Sequence, residues 1–431
     1  MPGRSPATND GRSTIARHAH RRPQHPFLQI LAMFAIAVGV ISVSVIGVSA
    51  FAVVDAARAA TENSIALGGE DQLPPTLGAI EGGVNVLLVG TDSCEGQSLA
   101  LFPRCAEDEG GERNDVTMLV NISDNPRRVT VVSFPRDMIV PIPECTNAAG
   151  EVYSAKTAQM INASYVEGGL GCSVATVEAL TDVDIQFAAA IRWTGVINMS
   201  DAIGGVDVCV SGDISDGHTG LSLTAGTHTL KGEQALQFLR IRHGIGDGSD
   251  LGRISNQQQF MSSMVRKLQS EAVLSNPGTL FNIATTAIAQ VNQQQLVLTQ
   301  GLANPTRMVQ IAMAVKDVPY EDIVFVQYPT VYGSAAQGGR VYPVTDDADA
   351  LFAAIAANQP LTLTGEASGG YGVEVTGEAS KPAPSASESP DPTASPSASA
   401  SASAVPEVRV ELPSSITGTT AAQVTCTVPE G

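Results

Sequence analysis

The chain has 431 residues and a formal net charge of −19, long enough for more than one domain and too acidic to bind nucleic acid by releasing counterions. The charge is unevenly placed. Residues 1–26 carry Arg4, Arg12, Arg17, Arg21 and Arg22 against Asp10, a net of +4, so the remainder carries −23.

Behind this basic start, residues 27–54 form a run of 28 residues without a charge. A helix rising about 1.5 Å per residue makes that run roughly 40 Å long, enough to cross a bilayer with some tilt. Ala50-Phe51-Ala52 resembles a signal cleavage site, but the apolar run exceeds that of a secretory signal, so an uncleaved transmembrane helix is expected. Basic residues before it, and Asp55, Glu62, Glu70 and Asp71 after it, place the N-terminus in the cytoplasm and the rest of the chain outside a single-pass cell-membrane anchor.

After a linker at 55–80, the folded body is expected over 81–362. "GGVNVLLVGTD" (82–92) is an apolar run ending in Gly and Asp. "DVTMLVNIS" (115–123) and "RRVTVVSF" (127–134) are further strand-like runs, divided by the turn signal Asp124-Asn125-Pro126. Residues 157–180 have helical character with a break at "EGGLG". "AAAIRWTGVINMSDAIGGVDVCV" reads as strand, helix, strand, and 232–242 and 254–291 carry apolar positions at helical spacing. Interleaved strands and helices indicate an α/β fold, an α/β/α-type sandwich with a mixed central sheet. Residues 363–405 include a Ser/Pro/Ala-rich stretch with no large apolar residue before Val405, read as an extended disordered tail. The last segment, 406–431, is strand-like but too short for an independent domain.

Six cysteines, with no C-x-x-C pair and no His at zinc-ligand spacing, suit disulfides in an oxidising compartment. Cys94 and Cys105 flank a Gly/Glu-rich loop and are expected to pair, as are Cys145 and Cys172. Spacing does not place Cys209 or Cys426.

The charged residues of the body gather at element ends. Asp92 ends the first strand, Arg113 and Asp115 open the second, and Arg136 and Asp137 follow the third. Arg240 and Arg242 are two apart, on one face of an extended turn, and Asp250, Arg253 and Gln257 share one helix face. One such ion pair would be a solvated strand end. Several together, where loops converge at strand ends, call for a polyanion, because guanidinium forks match phosphate oxygens. Asp92 and Asp115 would repel that anion unless a divalent cation lay between. The residues thus suggest a metal-bridged pyrophosphate.

The ordered series Gly90-x-Asp92, Arg113-x-Asp115-x-x-x-Leu119, Ser133-x-Pro135-Arg136-Asp137, Ile161-Asn162-Ala163-x-Tyr165-x-x-Gly168-Gly169, Gly204-Gly205-Val206-Asp207, Arg240-x-Arg242 and Asp250-Leu251-x-Arg253-x-x-x-Gln257 resembles the LytR–CpsA–Psr family of wall-polymer transferases. The resemblance implies a membrane-anchored domain that holds a polyprenyl pyrophosphate in an apolar channel and transfers its glycan to peptidoglycan. It implies Asp92 and Asp115 as ligands of Mg2+ (or Mn2+), and Arg113, Arg136, Arg240, Arg242, Asp250, Arg253 and Gln257 as the pyrophosphate site. Arg113, Asp115, Arg240 and Arg242 would be catalytic. Two positions depart from the pattern: Met160 stands where the family often has Lys, and Asn256 where it often has Arg. These motivate the alternative of a non-catalytic polyprenyl-phosphate binding or regulatory protein. Trp193 is read as packing, His218, His228 and His243 carry no nucleophile or metal signature, and "GIGDGSDLG" (244–252) lacks the pattern of a nucleotide P-loop.

Overall fold

The apolar runs at the start of the body become the centre of a mixed sheet whose two faces are both covered. The structure, a computed structural model, describes residues 55–56, 58–67, 83–107, 111–270, 273, 277–334, 340–367, 371–379 and 409–431. The chain divides after Val54, and the membrane helix expected at 27–54 lies outside the described residues. Among the described residues no helix is long and apolar enough to cross a membrane.

The strands used below are β1 (Val84–Thr91), β2 (Asn114–Ile122), β3 (Val129–Phe134), β4 (Ile139–Ile142), β5 (Lys156–Met160), β6 (Phe187–Ile191), β7 (Val206–Val210), β8 (Gly226–Leu230), β9 (Leu296–Leu298), β10 (Ile323–Gln327), β11 (Val373–Glu378), β12 (Gly418–Thr420) and β13 (Gln423–Thr427). The helices are α1 (Ala163–Thr181), α2 (Trp193–Ala202), α3 (Gly232–Arg240), α4 (Asp250–Gln269), α5 (Pro277–Asn292), α6 (Pro305–Val315) and α7 (Thr345–Ala356).

The central sheet has seven strands in the order β9-β6-β1-β2-β3-β10-β12. β1, β2 and β3 run antiparallel to one another in turn, while β6 joins β1, and β10 joins β3, in parallel. Side chains alternate across β1, so Leu87 and Val89 pack with residues of α1 and α7, and Val86 and Leu88 pack with α5 and α6. Covering both faces explains why these strands read as nearly continuous apolar runs. Each fully buried Leu or Phe contributes on the order of 2 kcal/mol. The layers are those of the expected α/β/α sandwich. The strand, helix and strand read at 188–210 are β6, α2 and β7.

A smaller sheet, β8-β7-β13-β11, packs a second core with α3 and α4, centred on Val208, Leu230, Phe238 and Phe260. Here the structure departs from the sequence reading. Residues 409–431 are not an appendage. β12 pairs with β10 at the edge of the central sheet, and β13 lies between β7 and β11. Cys426 is bonded to Cys209, the pair that spacing could not place, beside the expected pairs Cys94–Cys105 and Cys145–Cys172. The described fold therefore continues beyond the boundary expected at 362, and both Ala379 and Arg409, at the two ends of the Ser/Pro/Ala segment, lie against it. Of the tail expected over 363–405, residues 373–378 instead form β11, paired with β13, and 380–405 lie outside the described residues.

Two helical readings also shift. Residues 156–160 form a strand because they pair with β4, which overrides the helical preference of Lys, Ala, Gln and Met. α1 starts later, at Ala163, and is broken at Gly168 and Gly169 as expected, Gly169 at a φ of 66°. The long helix read over 254–291 is two helices, α4 ending at Ser270 in an extended conformation and α5 restarting at Pro277.

Candidate active site

Three loops at neighbouring strand ends bring the predicted charges together. β3 stops at Phe134 because Pro135 cannot continue the ladder, and the turn that follows aims Arg136 back across β2. Its Nη1 lies 2.7 Å from Asp115 Oδ1, and its Nε lies 3.7 Å from Asp137 and 3.6 Å from Asp250 Oδ1. Burial works against the Arg136 charge, but the three carboxylates, Asp115 foremost, hold its pKa above the ordinary value. Asp137, the next residue, is one of the three.

Asp250 opens α4, where the Ser249 side chain caps the helix by accepting from the Gly252 amide. One turn on, Arg253 is buried, its Nη2 2.7 Å from Asp250 Oδ1 and donating to the Asp115 carbonyl at 2.9 Å. Complete burial pulls the Arg253 pKa down, and Asp250 opposes that pull. The Arg253–Asp250 approach is an ion pair without hydrogen-bond geometry, so neither Asp250 oxygen has a hydrogen-bond partner. The buried Nε atoms of Arg136, Arg242 and Arg253 have none either. Buried donors left unpaired in this way cost about 1–3 kcal/mol each, more when charged. Arg136 and Arg253 both lie against Asp250, at 3.6 and 2.7 Å, and the Arg242 charge acts on Arg253.

Asp92 stands beside this cluster. Its Oδ1 accepts from the Arg113 amide at 2.8 Å, and its own amide donates to the Arg113 carbonyl at 3.1 Å. Burial first, then the charge of Asp115, push the Asp92 carboxyl above its usual range, against the opposing Arg113 amide. Thr91 at the end of β1 pairs with Asn114 of β2, so Asp92 and Asp115 follow paired positions at neighbouring strand ends. Asp115 gives one oxygen to Arg136. Among the described residues no group of three or more acidic, His or Cys side chains gathers for a metal. A pair of carboxylates still fits a cation that takes its remaining ligands from phosphate and water.

Not every predicted residue turns inward. Arg113 is exposed at the rim. Arg240, the last residue of α3, lays its guanidinium 4.2 Å above the Trp193 ring, with Phe102 packed 4.7 Å from the same ring. Ile241 then turns extended and buries its side chain, and Arg242 follows with its amide 3.4 Å from Asp216. Gln257 donates from Nε2 to the Leu239 carbonyl at 2.9 Å, so it holds the end of α3. Sequence reasoning passed over two supports. Arg192, buried after β6, meets Glu112 at 2.7 and 3.0 Å and so ties the strand ends bearing Asp92 and Arg113. Asp216 receives the amides of His218 and Arg242, which keep its carboxyl low although burial alone would raise it.

Behind the charged cluster runs a cavity of about 470 Å3 between the sheet and the helices α2 to α5. Leu88, Met118, Ile203, Met261, Met264 and Leu268 line it, and Asp115, Arg240, Arg253 and Gln257 form adjoining polar wall. Arg240 and Trp193 also border a smaller recess of about 130 Å3 that carries Glu233 and Gln237.

The sequence matches the LytR_cpsA_psr family over residues 50–355, well over half of the chain. The chain belongs to that family. Among its curated relatives is the cell wall biosynthesis protein LcpA of Corynebacterium glutamicum, 28% identical over 66% of this chain and 57% of LcpA. Another is the polyisoprenyl-teichoic acid–peptidoglycan teichoic acid transferase TagU of Bacillus mycoides, 33% identical over 45% of this chain and 56% of TagU. The chain thus spans little more than half the length of these relatives. Among solved structures, TagV of B. subtilis is 18% identical, with a TM-score of 0.49 over 63% of this chain and 95% of TagV. The family match stops at 355, short of β11, β12 and β13. Of the two departures from the family pattern, Met160 receives the Arg340 guanidinium on its sulfur. Asn256 is fully buried, donating to the Phe238 carbonyl at 2.7 Å and lying 2.5 Å from the Thr427 hydroxyl.

Proposed function

We propose that the protein is a membrane-anchored phosphotransferase that moves a glycan polymer from a polyprenyl-pyrophosphate carrier to peptidoglycan. The observation that carries this reading is the set of buried guanidinium Nε atoms of Arg136, Arg242 and Arg253 that lack a hydrogen-bond partner, with Arg253 also lining the apolar cavity. An apolar chain with a doubly charged head group satisfies both features at once. TagU, named a polyisoprenyl-teichoic acid–peptidoglycan teichoic acid transferase, is consistent with it.

In this reading the prenyl chain lies along Met261, Met264 and Leu268, and the pyrophosphate meets Arg136, Arg240, Arg242 and Arg253, with Arg113 at the rim. Asp250 orients Arg253 and Arg136. Gln257 orients the end of α3 and so Arg240. An acceptor hydroxyl of peptidoglycan attacks the glycan-linked phosphorus. The new O–P bond forms as the bond to polyprenyl phosphate breaks, and the hydroxyl proton passes to a carboxylate at the strand ends, Asp92 or Asp115. Phosphoryl transfer asks the protein mainly for position and for stabilisation of developing charge, which fixed arginines supply. Mg2+ (or Mn2+) held by Asp92 and Asp115 would supply further charge neutralisation. A lost-turnover binding protein has less support, because Asn256 is committed to the framework while Arg113, Arg136, Arg240, Arg242 and Arg253 are all present.

The test separates lipid from head group. Met264→Trp, which narrows the cavity, should weaken binding of polyprenyl pyrophosphate at least tenfold and leave inorganic pyrophosphate binding unchanged in calorimetric titration. Loss of both would place the anion site elsewhere. Wild-type protein that releases no polyprenyl phosphate from a lipid-pyrophosphate glycan, with Mg2+ and a peptidoglycan acceptor present, would refute the transferase.

A further inference from the structure

The stretch between Arg242 and Asp250 has glycine at every second position, and each of the three is in a left-handed conformation. Gly244, Gly246 and Gly248 have φ of 81°, 50° and 71°. Such a loop loses more backbone freedom on ordering than any other sequence, so it needs external contacts to hold one shape. Those contacts come from the end of the chain. The Gly244 amide donates to Glu430 Oε2 at 2.7 Å, and the Glu430 amide donates to the Gly244 carbonyl at 3.2 Å. The Gly246 amide donates to the Val428 carbonyl at 3.0 Å, and Ile245 forms an isolated bridge with Pro429. Val428 in turn donates to Gly372, whose neighbour Tyr371 accepts from the Asp247 amide at 3.3 Å. A side chain at Gly246 would collide with the Tyr371 carbonyl, so the loop and its support meet backbone to backbone.

The same segment grips α4. The Thr427 hydroxyl sits 2.5 Å from both Asn256 Oδ1 and Gln259 Oε1, and Gln259 Nε2 donates to the carbonyls of Thr425 and Cys209 at 2.8 and 2.7 Å. The Cys209–Cys426 disulfide ties this strand to β7. α4 carries Asp250 and Arg253 at one end of the glycine loop, and Arg242 stands at the other.

We infer that Thr427, Val428 and Glu430 are positioning residues of the anion site: they hold the 243–249 loop and the first turns of α4, and so set the separation of Arg242 from Arg253. Asn256, one of the two departures from the family pattern, is the α4 side of this contact. The inference rests on the pyrophosphate reading of the site, and its test keeps the two apart.

The full chain is compared with a form ending at Thr427, which keeps β13 and the disulfide, and with Glu430→Ala and Glu430→Gln. The probe is inorganic pyrophosphate with Mg2+, titrated calorimetrically, alongside amide hydrogen exchange over 243–249. The shortened chain should bind pyrophosphate about tenfold more weakly and Glu430→Ala about threefold. Glu430→Gln, whose amide oxygen still accepts from Gly244, should stay near wild type. Exchange should quicken at 244–248 and remain unchanged in β1 to β3, and in turnover the loss should fall on KM for the lipid-linked donor more than on kcat. Unchanged affinity in the shortened chain overturns the inference, as does exchange that rises uniformly, which would mean general loosening. If wild type binds pyrophosphate, Arg253→Met does not and the shortened chain binds as wild type, the positioning role fails and the site stands. If wild type itself does not bind, both fall.

Discussion

Arg253→Met is expected to destabilise the fold by about 3–5 kcal/mol and to abolish pyrophosphate binding, whereas Asp250→Leu/Arg253→Met should regain most of the stability and none of the binding. Arg253 and Asp250 are 5% and 6% exposed and 2.7 Å apart. Removing Arg253 alone leaves Asp250 buried with Arg136, 3.6 Å away, as its remaining partner. Removing both charges replaces a buried ion pair by apolar groups, a change that is often neutral. The site loses the Arg253 donor in both variants, so stability and binding separate. Urea unfolding and calorimetric titration of inorganic pyrophosphate on the three proteins check this. Recovery of binding in the double variant would show that Arg253 serves the fold only.

Asp115→Ala is expected to reduce transfer by roughly 10^2–10^3-fold, the usual effect of losing one fixed charge-stabilising group. Two descriptions of Asp115 differ in what else they predict. As a plain partner of Arg136, 2.7 Å away, its loss frees a guanidinium and strengthens pyrophosphate binding, and Mg2+ strengthens binding as much as in wild type. As half of a cation pair with Asp92, its loss keeps or increases binding of the bare anion but removes the gain that Mg2+ gives. Titration with and without Mg2+ on wild type and Asp115→Ala distinguishes them, and an equal Mg2+ gain in both proteins would remove Asp115 as a ligand.

Local chemistry alone determined much of this protein. The β-branched runs at 84–91, 114–122 and 129–134, Pro135 at the strand end, the glycine break in α1 and the Asp250–Arg253–Gln257 spacing all follow from a few consecutive residues, because side-chain period and turn chemistry are short-range properties. The motif order was legible for the same reason. Contacts between distant segments were decided only by the tertiary structure. Nothing near Cys209 or Cys426 announces a partner 217 residues away, and 156–160 became a strand only because Ile139–Ile142 lay beside it. The short strand-like runs after the Ser/Pro/Ala segment could not be stable alone, and they take their stability from ladders offered by β7, β10 and β11. Asn256 shows the limit most plainly. In sequence it is a missing positive charge, but in the fold it is a buried amide, because Thr427 arrives beside it from the far end of the chain.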